Sequence, residues 1–176
     1  MAKKVLYWDS CIFYEWLCSE DVASEKRLAI EEILSDNESG DSIIVTSVIT
    51  HLEVLPRKLA GKGASDEADY LSLFDGLHFH DIQIDANILM RAREIRDYYF
   101  SPMAENNKMM DLGDCIHLAA ATINGVDEFH TRDASRRGSK VPLLNLYEMT
   151  SVPKLCGKYD LTILSPEAAQ PRLEGL

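Results

Sequence analysis

The sequence predicts an α/β fold: a mostly parallel sheet of four to five strands with helices on both faces. Two observations carry this. Short apolar runs rich in strand formers alternate along the chain with helical stretches, the pattern of parallel strands joined by crossover helices. And 176 residues with 46% hydrophobic and 27% charged content are enough for one substantial core and short of two.

The elements follow in order. Val5 to Trp8, after Lys3 and Lys4, reads as a buried parallel strand, ended by Asp9 and Ser10. Cys11 to Leu17 reads as a helix. Ser24 to Leu34 reads as a second, with Leu28, Ile30, Ile33 and Leu34 inward. Asp36 to Asp41 is a turn, and Ser42 to Ser47 a second strand. A helix starting at Ser47 or Val48 carries Glu53 and ends or kinks at Pro56. Arg57 to Gly63 reads as a basic loop, Ser65 to Phe74 as a helix capped by Ser65, and Leu77 to Ile84 as a short strand.

Asp85 caps the clearest amphipathic helix, with Ile88, Ala92, Ile95 and Tyr99 on one face. Ser101-Pro102 stops it, and Met103 to Met110 reads as a loop. Then comes Met110-Asp111-Leu112-Gly113-Asp114, opening a helix of small and apolar residues that ends at Gly125. Glu128 to Thr131 is the next strand, Arg136 to Lys140 a second basic loop, and Val141 to Leu146 another strand. Tyr159 to Leu164 adds an edge strand, and a tail follows. No repeat or linker divides the chain. The expected organisation is residues 1–150 as the principal domain, with 151–176 an extension packed on it.

Composition excludes some classes. No apolar run reaches the roughly 20 residues of a membrane span. The chain opens with no basic-then-apolar leader, so the expectation is a cytoplasmic protein that does not enter a membrane. The four cysteines form no metal-type pair and read as reduced thiols. The formal net charge of −11 argues against a nucleic-acid binder with a basic face, but not against a local basic rim or a metal-charged site.

Four acids fall at matching topological positions. Asp9 ends the first strand, Glu53 follows the second, Asp114 starts the central helix, and Asp133 lies past the strand after it. All belong near the carboxyl edge of a parallel sheet, where open α/β folds place ligands. Clustered carboxylates repel and raise one another's pKa, and hard divalent cations relieve that. Oxygen ligands point to Mg²⁺ or Mn²⁺. A cap is the simpler reading of the helix start, with Asp111 as N-cap and Asp114 three residues on.

The pieces Val5-Leu6-Tyr7-Trp8-Asp9-Ser10, Ile44-Val45-Thr46-Ser47 with Glu53, Asp114-Cys115-Ile116-His117-Leu118-Ala119-Ala120-Ala121 and Thr131-Arg132-Asp133 resemble, in order, the PIN-domain nucleases, including the toxin ribonucleases of type II toxin–antitoxin pairs. The resemblance spans roughly residues 4 to 146. It implies a three-layer α/β/α fold and a Mg²⁺- or Mn²⁺-dependent endoribonuclease. It also implies an RNA substrate, an antitoxin partner and a homodimer. It assigns Asp9, Glu53, Asp114 and Asp133 as catalytic metal ligands and Ser10 and Thr131 as supporting groups. The thirty residues after Leu146 depart from the family pattern.

Other residues are weighed beside these. His117 reads first as a packed helix residue, with substrate contact as the alternative. His78 and His80 read as a solvated strand face rather than a zinc pair. Arg57, Lys58, Arg132, Arg136 and Arg137 are candidate phosphate binders. Two other functions compete. A phosphoaspartate phosphatase would want a second Asp where Cys11 stands, and a receiver would want a lysine late in the sheet, beyond a strand, where none clearly stands. A PIN-like interaction module would have lost its acids, and all four are present.

Overall fold

A computed structural model of the chain describes residues 3–18, 24–60, 67–74, 76–100, 110–134, 141–146 and 155–167. Five strands make one wholly parallel sheet: β1 (Lys4–Trp8), β2 (Ser42–Ser47), β3 (Phe79–Ile82), β4 (Glu128–His130) and, after a small antiparallel pair, β7 (Thr162–Leu164). The spatial order is β3-β2-β1-β4-β7. The chain thus steps outward from β1 through β2 to β3, then crosses back to lay β4 on the other side of β1. Right-handed crossovers put the helices of these two movements on opposite faces.

One face carries α1 (Ser10–Cys18) and α2 (Glu25–Glu38), with the short helices α3 (Thr50–Glu53), α4 (Pro56–Ala60) and α5 (Glu67–Ser72) from the later crossover. The other carries α6 (Ala86–Tyr98) and α7 (Leu112–Ile123). Successive strand residues point to opposite faces. Tyr7, Val45, Phe129 and Ile163 therefore pack with Ile88, Ile95, Tyr99 and Leu118, while Trp8, Ile44 and Phe79 pack with Ile12, Phe13, Ile30 and Tyr70. The three-layer α/β/α architecture is as expected.

Caps set several boundaries. Ser24 accepts the Arg27 N–H, and Asp85 accepts the Ile88 N–H at 2.9 Å. Gly125 ends α7 at φ 62°, in the left-handed region that glycine enters freely. α2 runs a turn beyond Leu34; Ala29 and Ile30 take its core positions, Ile33 and Leu34 are partly buried against the core, and Leu28, expected inward, is exposed. Pro56 starts a helical turn instead of only ending one, so Arg57 to Ala60 is helix and not loop.

The expected strand at Val141–Leu146 is absent. Pro142 lacks an N–H, and Leu143–Asn145 forms a 3-10 turn whose Leu143 N–H donates to the Asp133 carboxylate at 3.3 Å. The fifth strand comes later. Leu155–Cys156 (β5) and Tyr159–Asp160 (β6) form a hairpin around Gly157 at φ 62°, and β7 then pairs in parallel with β4. Ser65, Ser101, Pro102, the segment 103–109 and the second basic loop with Arg136 and Arg137 lie outside the described residues. Among the described residues no helix is long and apolar enough to cross a membrane.

Candidate metal centre

The reversal of strand order between β1 and β4 opens the sheet's carboxyl edge there, the place where doubly wound folds bind ligands. Asp9 stands at that point: its N–H donates to the His130 carbonyl at 3.1 Å, joining the ends of the two strands. Its side chain is buried and held by neutral donors. Oδ1 accepts the Ser10 N–H at 2.7 Å and lies 3.4 Å from the Ser10 hydroxyl. Oδ2 accepts the Thr131 hydroxyl at 2.7 Å and the Cys11 thiol at 3.3 Å. Thr131 Oγ1 also accepts the Asp133 N–H at 3.1 Å, so the loop after β4 is built onto the Asp9 carboxylate.

Glu53 arrives on α3, a single turn too short to be stable by itself. Its surroundings fix it. The Thr50 and Thr46 hydroxyls lie 2.6 Å apart, and Thr46 donates to the Trp8 carbonyl, so Thr50 supplies the shared proton. The Tyr14 hydroxyl donates to the Glu53 carbonyl at 2.8 Å and accepts the Leu55 N–H at 2.7 Å. At the far end, Glu53 Oε2 lies 2.9 Å from His117 Nε2, and a Cβ on Gly113 would fall 2.8 Å from Glu53 Oε1. Gly113 and His117 are four residues apart, on one face of α7, and the Glu53 carboxylate lies across both.

The start of α7 separates the two roles left open by its acids. Asp111 is exposed and accepts the Gly113 N–H at 2.9 Å, which makes it the N-cap. Asp114 is inside the first turn and buried. Asp9, Glu53 and His117 each offer a ligand atom, all within 4.8 Å of one another; Asp114 and Asp133 are not in that set. Asp114 acts on it electrostatically, and Asp133 is tied to the Leu143 N–H.

His117 is the residue that pattern reading undervalued. It is indeed packed, fully buried, but both its nitrogens are engaged: Nε2 with Glu53 and Nδ1 with the Tyr7 hydroxyl at 2.7 Å. Gly113, Tyr14 and Tyr7 were equally invisible, since a glycine inside a helix and aromatics in apolar runs carry no chemical signature. The i, i+4 spacing of Gly113 and His117 beside Asp114 was the available signal.

Of the candidate phosphate binders, Arg57, Lys58 and Arg132 lie among the described residues. The Arg132 guanidinium is engaged by Glu15, the Ser165 hydroxyl and the Pro166 and Lys26 carbonyls, so it braces the protein and is not available as a phosphate binder. Arg57 and Lys58 are exposed on α4, with Lys58 Nζ 5.4 Å from the centre of the Tyr14 ring.

Electrostatics mark the centre as a place for a cation. Burial, then the Asp9 charge, pushes the Tyr7 hydroxyl and the Cys11 thiol up. Burial, then Asp114, pushes the Cys115 thiol up to about 12. Burial opposes the protonated form of His117, yet the Glu53 bond and the charges of Asp9, Glu53 and Asp114 outweigh it and raise its pKa. Neighbouring anions are disfavoured and the one cation favoured. Among the described residues no Lys or Arg pairs with Asp9, so its buried charge calls for a positive ion. An oxygen-rich donor set of this kind fits a hard divalent metal.

Comparisons place this geometry among known proteins. No curated protein matches the sequence. The fold is shared with the structure of FitAB bound to the IR36 DNA fragment, at TM-score 0.55 and 15% identity over 95% of this chain and 99% of that one. It is shared also with VapBC2 from Rickettsia felis bound to a DNA fragment from their promoter, at TM-score 0.50 and 10% identity over 90% and 98%. At such identity these likenesses speak for the fold alone. The PIN domain family model matches residues 6–137, three quarters of the chain and every residue of the centre, and the chain therefore belongs to the PIN domain family.

Proposed function

We propose that this protein is a Mg²⁺- or Mn²⁺-dependent endoribonuclease and the toxin of a toxin–antitoxin pair. The observation that carries the reading is the convergence of Asp9, Glu53 and His117 within 4.8 Å at the sheet's carboxyl edge, with buried Asp114 adding charge. Asp9, Glu53, Asp114 and Asp133 would hold the metal, and Ser10 and Thr131 would hold Asp9. When bound, such an ion polarises phosphoryl oxygen and lowers the pKa of an attacking water. The chain supplies the rest. Thr131, Ser10 and Cys11 keep the Asp9 carboxylate aimed, and burial of Asp9 and Asp114 limits screening by water. Arg57 and Lys58, with Arg136 and Arg137, would take backbone phosphates of a single strand.

The partner reading rests on family likeness. VapBC2 from Rickettsia felis is bound to a DNA fragment from their promoter. An antitoxin here would cover the acidic edge, and a homodimer fits the same family. Residues 1–150 would form the nuclease domain, with the extension that supplies β7 completing its sheet, and the protein would act in the cytoplasm.

The test is cleavage of structured and single-stranded RNAs by purified, partner-free protein in Mg²⁺ and in Mn²⁺, with EDTA and Asp9→Asn as controls. Metal-dependent cleavage lost in Asp9→Asn is expected. Intact RNA in both metals would leave the alternative of a PIN-fold interaction module.

A further inference from the structure

We propose that His117 is a positioning residue: tied by Nδ1 to the Tyr7 hydroxyl, it holds the Glu53 carboxylate in place for the cation instead of ligating it. The inference rests on the metal-dependent reading above. Three observations carry it. Both ring nitrogens are engaged, Nδ1 at 2.7 Å from the Tyr7 oxygen and Nε2 at 2.9 Å from Glu53 Oε2, whereas a metal ligand must present a bare nitrogen to the ion. The ring is fully buried and meets Tyr7 edge-on, with ring centres 5.8 Å apart, while Tyr7 is stacked on Phe129 at 4.9 Å, so the imidazole cannot swing freely. And Gly113, one turn before His117, leaves the gap that Glu53 Oε1 fills, so the carboxylate lies along one helix face, with Oε2 on His117 and Oε1 over Gly113.

The direction of the chain follows from its donors. When the imidazole is neutral, the buried Tyr7 hydroxyl donates its proton to Nδ1. Nε2 then carries the hydrogen and donates to Glu53, so Tyr7 sets the tautomer that faces the carboxylate.

The experiment uses the full chain and four proteins: parent, Tyr7→Phe, His117→Gln and His117→Phe. Mn²⁺ binding is measured by calorimetry and the metal's ligands by pulsed electron paramagnetic resonance. Nitrogen-15 spectra of the histidine rings are recorded at alkaline pH, with the Glu53 carboxyl carbon followed by a carbon-13 label. His117→Phe keeps bulk without a donor, and should weaken Mn²⁺ binding about ten- to hundredfold, the range for lost outer-shell partners. His117→Gln, whose amide places an N–H near the old Nε2, should restore most of that loss. Tyr7→Phe should weaken binding although it touches no ligand. The parent should show the Nε2–H tautomer and no nitrogen coupling to Mn²⁺.

A nitrogen coupling that vanishes in His117→Phe would make His117 a ligand and overturn the proposal, as would unchanged affinity in that variant. Should His117→Phe not fold, the Gln and Tyr7 variants carry the comparison. If the parent binds no Mn²⁺, the metal reading fails by itself. Positioning is then decided by the ring spectra and the Glu53 carbon signal: an Nδ1–H ring, or a Glu53 signal indifferent to His117, refutes it.

Discussion

Gly113→Ala should separate the fold from the site. In most helices this change is favourable, by up to about 1 kcal/mol, because Ala loses less backbone entropy than Gly. Here the new Cβ would lie 2.8 Å from Glu53 Oε1 and 3.2 Å from Asp111 Oδ1. Ordinary contact begins near 3.4 Å, so the Glu53 oxygen must retreat by roughly half an ångström. Glu53 is the far end of a flexible, half-buried side chain, and it can move at little cost to stability. Its 2.9 Å bond to His117 cannot follow, because His117 is locked by Tyr7. A displacement of about 0.5 Å is the tolerance of a working site.

Gly113→Ala is therefore expected to melt within about 3 °C of the parent, in either direction, from a net change of no more than about 1 kcal/mol. It should bind Mn²⁺ about tenfold or more weakly and lose RNA cleavage in proportion. Thermal melting without metal, calorimetric Mn²⁺ titration and the cleavage assay check this on one preparation. A variant that melts higher and binds Mn²⁺ as tightly as the parent would show that Glu53 needs no fixed place, and the reasoning fails.

Three further outcomes are expected. Asp114→Asn should melt no lower than the parent without metal, since Asp111 holds the cap and the neutral amide relieves repulsion. Its Mn²⁺-induced rise should shrink well below the parent's, which reaches about 2.7 kcal/mol at a hundredfold excess over Kd; equal rises would remove Asp114 from the metal site. Thr131→Val should cost about 1–3 kcal/mol in urea unfolding, because the Asp9 carboxylate and the Asp133 N–H both lose a partner, and a smaller loss would mean water replaces the hydroxyl. The two buried histidines should bend metal-free stability in opposite directions with pH. His117, raised above the ordinary 6.5 because the Glu53 bond and nearby acids outweigh burial, contributes fully below 6.5 and loses its contribution as pH rises through its folded value. His130, lowered because burial outweighs its Glu128 bond, contributes above 6.5 and loses it as pH falls through its folded value. Melting curves of His117→Gln and His130→Gln against pH should differ from the parent with opposite slopes.

Much of the fold was legible because periodicity and caps are local. The first two strands, α1, the Asp85 cap of α6 and the Asp111 cap of α7 follow from adjacent residues alone. The misreadings share one cause. Val141 to Leu146 has strand composition, but Pro142 and the carboxylate of Asp133, ten residues before Leu143, turn it into a 3-10 turn. Arg57 to Ala60 reads as a loop because its residues are basic, yet Pro56 opens a turn whose Leu59 drops into the core. The edge strand at Thr162–Leu164 was readable as a strand, though nothing local says that it lies beside β4. In each case tertiary contacts decided what propensity left undecided.

Of the converging group, Asp9 and Glu53 were legible in the sequence and His117 and the residues that hold them were not, for a physical reason. An Asp near a helix start reads the same whether it caps the helix or serves a metal. Asp85 and Asp111 accept backbone N–H bonds and stay exposed, so their charge remains solvated at little cost. Asp9 and Asp114 are buried, and Asp9 draws only on neutral donors of Ser10, Cys11 and Thr131. Donors on both oxygens call for a carboxylate, since an asparagine would turn its amide nitrogen toward one pair of them, yet none of these donors carries a charge to offset that of Asp9. Among the described residues no Lys or Arg offsets that buried charge, and the same field that raises Tyr7, Cys11 and His117 is what a divalent ion would neutralise. On the metal-dependent reading proposed above, a net charge of −11 would be no obstacle to a nucleic-acid substrate at this edge, since the potential such a substrate met would be set by the ion held there and not by the sum over the chain.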